Sequence, residues 1–219
     1  MTSCHCQLAD KEFGEQMAHR DLARYRKRGP NACTRKLISA VRGHPIAGAT
    51  LLDVGSGIGV LTHELLNGVV ASATLVDESS AYQAVARDLA DEHGTADRCT
   101  FVSGDFVDSQ PSLPAANLVM LDRVVCCYPD VASLLGAVAD TGASWCGLSY
   151  PRDRWYIRAA IAVLNSSLWI RRSDFRVFVH TERHILELME ARGYTVRSNS
   201  GTFVWKIILL ERDEDSRLS

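Results

Sequence analysis

The sequence predicts an α/β protein with a doubly wound, mostly parallel seven-stranded sheet that ends in an antiparallel hairpin. Three observations predict it. From Thr50 onward, short apolar runs alternate with helical periods, the pattern of a parallel sheet covered on both faces. The first run, Leu51-Leu52-Asp53-Val54, passes directly into Gly55-Ser56-Gly57-Ile58-Gly59, where residues lacking Cβ atoms allow a sharp turn and a close approach to a ligand. The last two runs are separated only by Asn199-Ser200-Gly201, a hairpin spacing that reverses the final strand.

The elements follow in order. Leu8, Phe13, Met17, Leu22 and Tyr25 stand at roughly helical spacing, so residues 7 to 28 read as a helix that Gly29-Pro30 breaks. A second helix is expected over Thr34–Arg42. Both precede the first strand, so 1–47 reads as a helical cap or lid. A domain over 48–211 follows, with a substrate-side insertion around 150–180 and a polar tail at 212–219. Strands are expected at Thr50–Val54, Ala73–Asp77, Thr100–Ser103, Leu118–Leu121, Trp145–Ser149, Thr195–Ser198 and Thr202–Leu210. Helices are expected at 60–67, 79–93, 131–140, 153–168 and 182–192.

Composition narrows the function. The chain of 219 residues is 47% apolar and 23% charged, as an ordinary globule is. With a net charge of -2, no single-sign field recruits nucleic acid or an anionic membrane. No apolar run reaches the about 18 residues of a membrane span, and the polar, acidic start is unlike a signal peptide. The expectation is therefore a cytoplasmic protein. Seven scattered cysteines fit a reducing compartment better than a disulfide scaffold.

In such sheets ligands bind at the carboxyl ends of the strands. Asp53 and the glycine turn follow strand one, and the helix after the turn offers unsatisfied N–H groups and a positive dipole end. A dinucleotide fingerprint would place its third glycine at position 60. That position is Val60, and the third glycine comes one residue early, at Gly59, which argues against a nicotinamide enzyme. Asp77 ends strand two, where a carboxylate can accept hydrogen bonds from a ribose diol; Asp77-Glu78-Ser79-Ser80 is equally the composition of a helix start. Asp105-Phe106 after strand three can hold and stack an adenine, or be a turn carboxylate and a core ring. Asp122-Arg123 follows strand four.

These residues resemble class I S-adenosylmethionine-dependent methyltransferases. The resemblance rests on Asp53-Val54-Gly55-Ser56-Gly57-Ile58-Gly59, Asp77, Gly104-Asp105 and the reversed final hairpin, and covers roughly 48 to 211. It implies a Rossmann-like sheet with S-adenosylmethionine across the strand ends. Gly55, Ser56, Gly57 and Gly59 would approach its methionine part, with Asp53 beneath the turn. Asp77 with Glu78 would hold the ribose, Asp105 and Phe106 the adenine, and Asp122 completes the cofactor set. Val124-Val125-Cys126-Cys127-Tyr128-Pro129-Asp130, Phe178-Val179-His180-Thr181-Glu182 and Gly193-Tyr194 are also similar to magnesium-protoporphyrin O-methyltransferases, which esterify a tetrapyrrole propionate. The chain departs from that family where a His precedes Tyr-Pro, since Cys127 stands there.

The expected function is methyl transfer to the O or S atom of a small-molecule acceptor. The alternatives are a tetrapyrrole propionate acceptor and a non-catalytic binding module. The sulfonium carries the hard step, so the protein must chiefly align the acceptor and exclude water. Cys127, Tyr128, Tyr150 and Arg154 are the acceptor-side candidates. Arg152, Arg154 and Arg158 suit an acidic acceptor, or form a solvated face. Tyr25 and His19 on the cap are candidate bases, and His180 is a base, a cap or a core histidine. Cys4-His5-Cys6, Cys33 and Cys126-Cys127 lack structural zinc spacing, and the adjacent pair is expected to diverge, so no metal site is expected.

Overall fold

The computed structural model describes residues 14–173 and 175–213; Cys4-His5-Cys6, residues 7–13 of the first helix and the end of the polar tail lie outside them. Strands β1 (Ala49–Val54), β2 (Val70–Asp77), β3 (Cys99–Ser103), β4 (Leu118–Asp122), β5 (Trp145–Pro151), β6 (Tyr194–Gly201) and β7 (Trp205–Arg212) form one sheet in the order β3-β2-β1-β4-β5-β7-β6. The first five pair in parallel, and β7 runs antiparallel to both β5 and β6.

Strand pleating divides the core into two layers. Leu52, Val119, Leu121, Ile208 and Leu210 point to one face. Their neighbours Leu51, Leu118, Met120, Ile207 and Leu209 point to the other. Helices α6 (Val131–Asp140) and α8 (Glu182–Glu190) cover the first face through Leu134, Leu135, Ile185 and Met189. Helices α2 (Ala32–Arg42) and α3 (Val60–Leu66) cover the second through Leu37, Val41, Leu61 and Leu65. Of the two N-terminal helices, α2 is thus a layer helix. Only α1 (Glu15–Arg28) stands apart, packing Ala18 and Leu22 on Tyr82, Val85 and Leu89 of α4 (Ser80–Glu92). Gly29, at φ 66, ends α1, and the Asn31 side chain caps α2 by accepting from Cys33 N and Thr34 N.

The final hairpin differs from expectation. Its turn is Thr202-Phe203-Val204, three residues beyond Asn199-Ser200-Gly201, which belong to β6. Thr202 N donates to Trp205 O at 2.8 Å. Trp205 N donates to the Thr202 hydroxyl at 2.9 Å, closing the turn at that point. The shift leaves Ile207–Leu210 paired along β5 and buried on both faces, which outweighs the turn preference of Asn-Ser-Gly. A short helix α5 (Phe106–Ser109) and helix α7 (Trp155–Ile170) complete the fold.

The buried Tyr194 hydroxyl donates to the Ala143 carbonyl at 2.6 Å and ties β6 to the loop before β5. Tyr194→Phe removes one buried hydrogen bond, so urea denaturation should show a loss of about 1 kcal/mol.

Candidate functional site

The sheet order reverses between β1 and β4: the chain leaves β1 toward β2 and β4 toward β5. Neither connection covers the space above their carboxyl ends, and a cleft opens there. The glycine turn forms its floor. Gly55, Gly57 and Gly59 have φ values of 62°, 55° and 76°, the left-handed region that side chains avoid. A Cβ on Gly55 would come 2.4 Å from Val124 Cγ2, so the turn passes the segment after β4 as bare backbone. Asp77 fixes the turn. One carboxylate oxygen accepts from Gly57 N at 2.7 Å and the other from Ser79 N at 2.9 Å.

Asp53 lies beneath the turn, buried, and accepts from the Thr62 hydroxyl at 2.7 Å. Burial pushes its carboxyl up to about 7; the nearby charges of Asp122 and Asp77 add to this and the Thr62 bond opposes it. Above, Ser56 Oγ is buried with no hydrogen-bond partner among the described residues.

The cleft has two lobes that meet at Gly55, Gly57, Tyr82 and Arg123. The larger encloses about 340 Å³ and runs over the ends of β2, β3 and β4 to Cys127, Tyr128 and Trp205. The smaller encloses about 90 Å³ under α1 and the Gly29–Asn31 bend, with Ser56 and Asp53 in its wall. Among the described residues, Asp21, Asp77, Glu78, Asp105 and Asp122 line the larger lobe against a single cation, Arg123.

The far wall is built by an unusual residue. Arg123 has φ 65, a left-handed conformation without a glycine. Its N–H donates to the Ser149 hydroxyl at 2.8 Å. Its carbonyl accepts from the thiols of Cys126 at 3.4 Å and Cys127 at 3.7 Å. The expected divergence of the two thiols is therefore corrected: a 3₁₀ turn over Val125–Cys127 brings both to one acceptor. The neighbouring sulfur, and after it burial, raise the Cys126 thiol, while the same contact lowers Cys127. The Tyr128 hydroxyl donates to Asp105, which also caps α5 by accepting from Val107 N at 2.9 Å.

The expected cofactor residues gather here, with refinements. Gly59 starts α3 behind the turn. Asp122 reaches both lobes, but its oxygens already accept from Thr34 at 2.5 Å and Ser149 at 2.6 Å, making it a strut between α2 and the sheet. Burial and that carboxylate push the Cys33 thiol up to about 12. Cys127 and Tyr128 stand on the wall as expected. Tyr150 does not: its side chain is buried in the core with Ile185 and Met189 of α8. Arg154 is in a separate surface groove with Thr181, Glu182 and Arg183.

The candidate bases also fall elsewhere. His19 points to solvent beside Glu15, 3.7 Å away. Tyr25 borders the smaller lobe but donates to Glu64 at 3.2 Å. Burial and that carboxylate push its phenol up to about 12, so it stays protonated at neutral pH. His180 Nε2 sits 2.8 Å from the Tyr128 carbonyl and braces the wall from behind. Among the described residues, no histidine lines either lobe. Asp21, Tyr82 and Trp205 escaped the sequence reading. The Tyr82 hydroxyl donates to Asp21 at 2.7 Å and latches α1 over the turn. No local pattern joins residues so far apart in the chain.

No family sequence profile and no curated protein sequence matches this chain. Solved structures do. A magnesium protoporphyrin IX methyltransferase from Synechocystis PCC 6803 with bound SAH is 18% identical over 95% of this chain and 100% of that one, with a TM-score of 0.73. A mitomycin 7-O-methyltransferase is 21% identical over 90% of this chain and 60% of that one, at 0.65. A [4+2]-cyclase is 15% identical over 81% of this chain and 80% of that one, at 0.61. The chain thus has the fold of class I methyltransferases, and that fold also carries other chemistry.

Asp53 supplies a pH test. Its carboxyl titrates near 3.8 when exposed and near 7 when folded, so the native state holds the extra proton between these values. Stability from this group is full below about 4 and is lost as pH rises through about 7. Asp53→Asn keeps an acceptor for Thr62 without the charge. In urea melts of the ligand-free protein, its stability relative to the parent should increase from pH 5 to pH 8, reaching on the order of a few kcal/mol.

Proposed function

We propose that this chain is an enzyme that transfers a methyl group from S-adenosylmethionine to the O or S atom of a small-molecule acceptor. The observation that carries the reading is the pairing of a left-handed glycine turn with an anionic cleft. Among the described residues, five carboxylates face one arginine in the larger lobe. A pyrophosphate would be repelled there, which disfavours a nicotinamide dinucleotide. S-adenosylmethionine carries sulfonium and ammonium cations against one carboxylate and suits that field.

The residues present fit this group. The bare backbone at Gly55 and Gly57 permits close approach, and the buried Ser56 Oγ offers an unused polar atom beside it. Asp77 would hold the ribose and Asp105 with Phe106 the adenine, since each lines the larger lobe at a strand end. The smaller lobe over Asp53 and Ser56 suits the methionine part. When bound, the sulfonium supplies an activated methyl group.

The chain's own task is then to position an acceptor and keep water out. The wall of Arg123, Cys127, Tyr128 and Trp205 would receive that acceptor. With no histidine among the described residues of either lobe, the reading favours an acceptor that is already ionised or has an acidic proton, such as a carboxylate, an acidic phenol or a thiol. Arg123 gives such an anion a counter-charge. A tetrapyrrole propionate belongs to this class, and the likeness to the porphyrin enzyme, over 95% of this chain and 100% of that one, supports it. We further infer a cytoplasmic protein that works without a metal or nucleic acid.

Titration calorimetry should show binding of S-adenosylhomocysteine and none of NAD. Gly57→Val strains a φ of 55° and crowds the Tyr82 ring, so it should abolish that binding while the far-UV spectrum is preserved. Asp77→Asn should weaken it about ten- to hundredfold, the worth of one or two charge-assisted bonds. A methyl-transfer screen over carboxylates, phenols, thiols and porphyrins tests the catalytic part. Cofactor binding with no turnover on any of them would leave a binding module.

A further inference from the structure

Helix α7 is apolar on two sides. Ile157 and Leu168 are buried against the domain. On another face, Trp155, Ala159, Ala162, Ser166, Trp169 and Ile170 recur at three- and four-residue steps, and all are exposed. Trp155 is 80%, Trp169 70% and Ile170 74% exposed. A helix apolar on both sides is ordinarily covered on both. The bare face continues onto the β6–β7 turn, where Tyr156 stacks on Phe203 at 5.0 Å between ring centres. Phe203, at the tip of the β6–β7 hairpin, is itself 75% exposed.

The surroundings of this face are positive. Residues 152–172 contain Arg152, Arg154, Arg158, Arg171 and Arg172 but one acid, Asp153, in a chain of net charge -2. Asp153 is engaged by Arg158 at 2.5 Å. Arg154, Arg171 and Arg172 are exposed at the two ends of α7. A two-fold contact between copies would lay this face on itself and set arginines against arginines, which charge disfavours. Tryptophans at both ends of a helix with flanking arginines instead match a lipid–water boundary, where rings sit at headgroup level and guanidinium groups meet phosphates. No helix among the described residues is long and apolar enough to cross a membrane. A helix of 16 residues lies about 24 Å long in the interface plane.

We propose that α7 and the β6–β7 tip dock this protein on an anionic lipid surface. The inference does not rest on the identity of the cofactor or acceptor.

The test is cosedimentation of the full chain with vesicles of phosphatidylcholine alone and of phosphatidylcholine with phosphatidylserine, at low and high salt. Binding to the anionic vesicles is expected, with weaker binding to neutral ones and loss at high salt. Trp155→Glu combined with Trp169→Glu should reduce it at least tenfold with an unchanged thermal melt, since both rings face solvent. Should that variant melt early, Arg154→Gln, Arg171→Gln and Arg172→Gln serve instead, each expected to weaken binding roughly fivefold. No sedimentation with anionic vesicles would overturn the proposal, as would equal binding by both sets of variants. So would a dimer in sedimentation equilibrium that the tryptophan variant dissociates while lipid binding is absent, since the covering partner would then be a second copy.

Discussion

The cleft exists because two adjacent parallel strands send their chains away in opposite directions. Between β1 and β4 no connection crosses the carboxyl ends, and the backbone there must supply its own hydrogen-bond partners. The glycine turn does so by folding back on β2, with Gly55 N and Ser56 N donating to the Val76 carbonyl at 2.8 and 3.2 Å. Left-handed conformations at Gly55, Gly57 and Gly59 make that path possible, and the Val124 side chain packed against Gly55 leaves no room for a Cβ. The position of α3, the approach of β4 and the shape of both lobes follow from this turn.

Acidic residues do two kinds of work around it. Asp53, Asp77, Asp105 and Asp122 each hold protein donors: the Thr62 hydroxyl, the Gly57 and Ser79 amides, the Tyr128 hydroxyl, and the Thr34 and Ser149 hydroxyls. The same carboxylates give the cleft its negative field, which bears on Asp53 and Cys33 as raised affinities for a proton. Structural bracing and ligand preference are therefore one arrangement. The N-terminal helices share in it, since α2 is strapped to Asp122 through Thr34, and Tyr82 holds α1 through Asp21.

The candidate base set shows the limits of reading side chains by type. His19, Tyr25 and His180 have suitable chemistry, yet one is solvated, one is locked to Glu64 and one supports backbone. Tyr150 and Arg154 lie close in sequence to the end of β5, but strand pleating turns Tyr150 into the core and the chain carries Arg154 out to the surface. The paired thiols of Cys126 and Cys127 depend on a 3₁₀ turn and on the left-handed Arg123 before it, and no composition signal announces either. The overall net charge of -2 averages over the run of arginines around α7.

By itself, the sequence determined the alternating sheet, the reversed hairpin, the glycine turn and the carboxylates that follow β1, β2, β3 and β4. Each of these is written in local periodicity or in residues whose backbone preferences act over a few positions. It misplaced the hairpin turn by three residues because pairing of β7 with β5, a long-range energy, outweighed local turn preference. Only the tertiary structure decided which side chains meet: Asp21 with Tyr82, Asp122 with Thr34, Asp105 with Tyr128. Such contacts join residues distant in the chain, and their energies appear only when packing has fixed the distances between them.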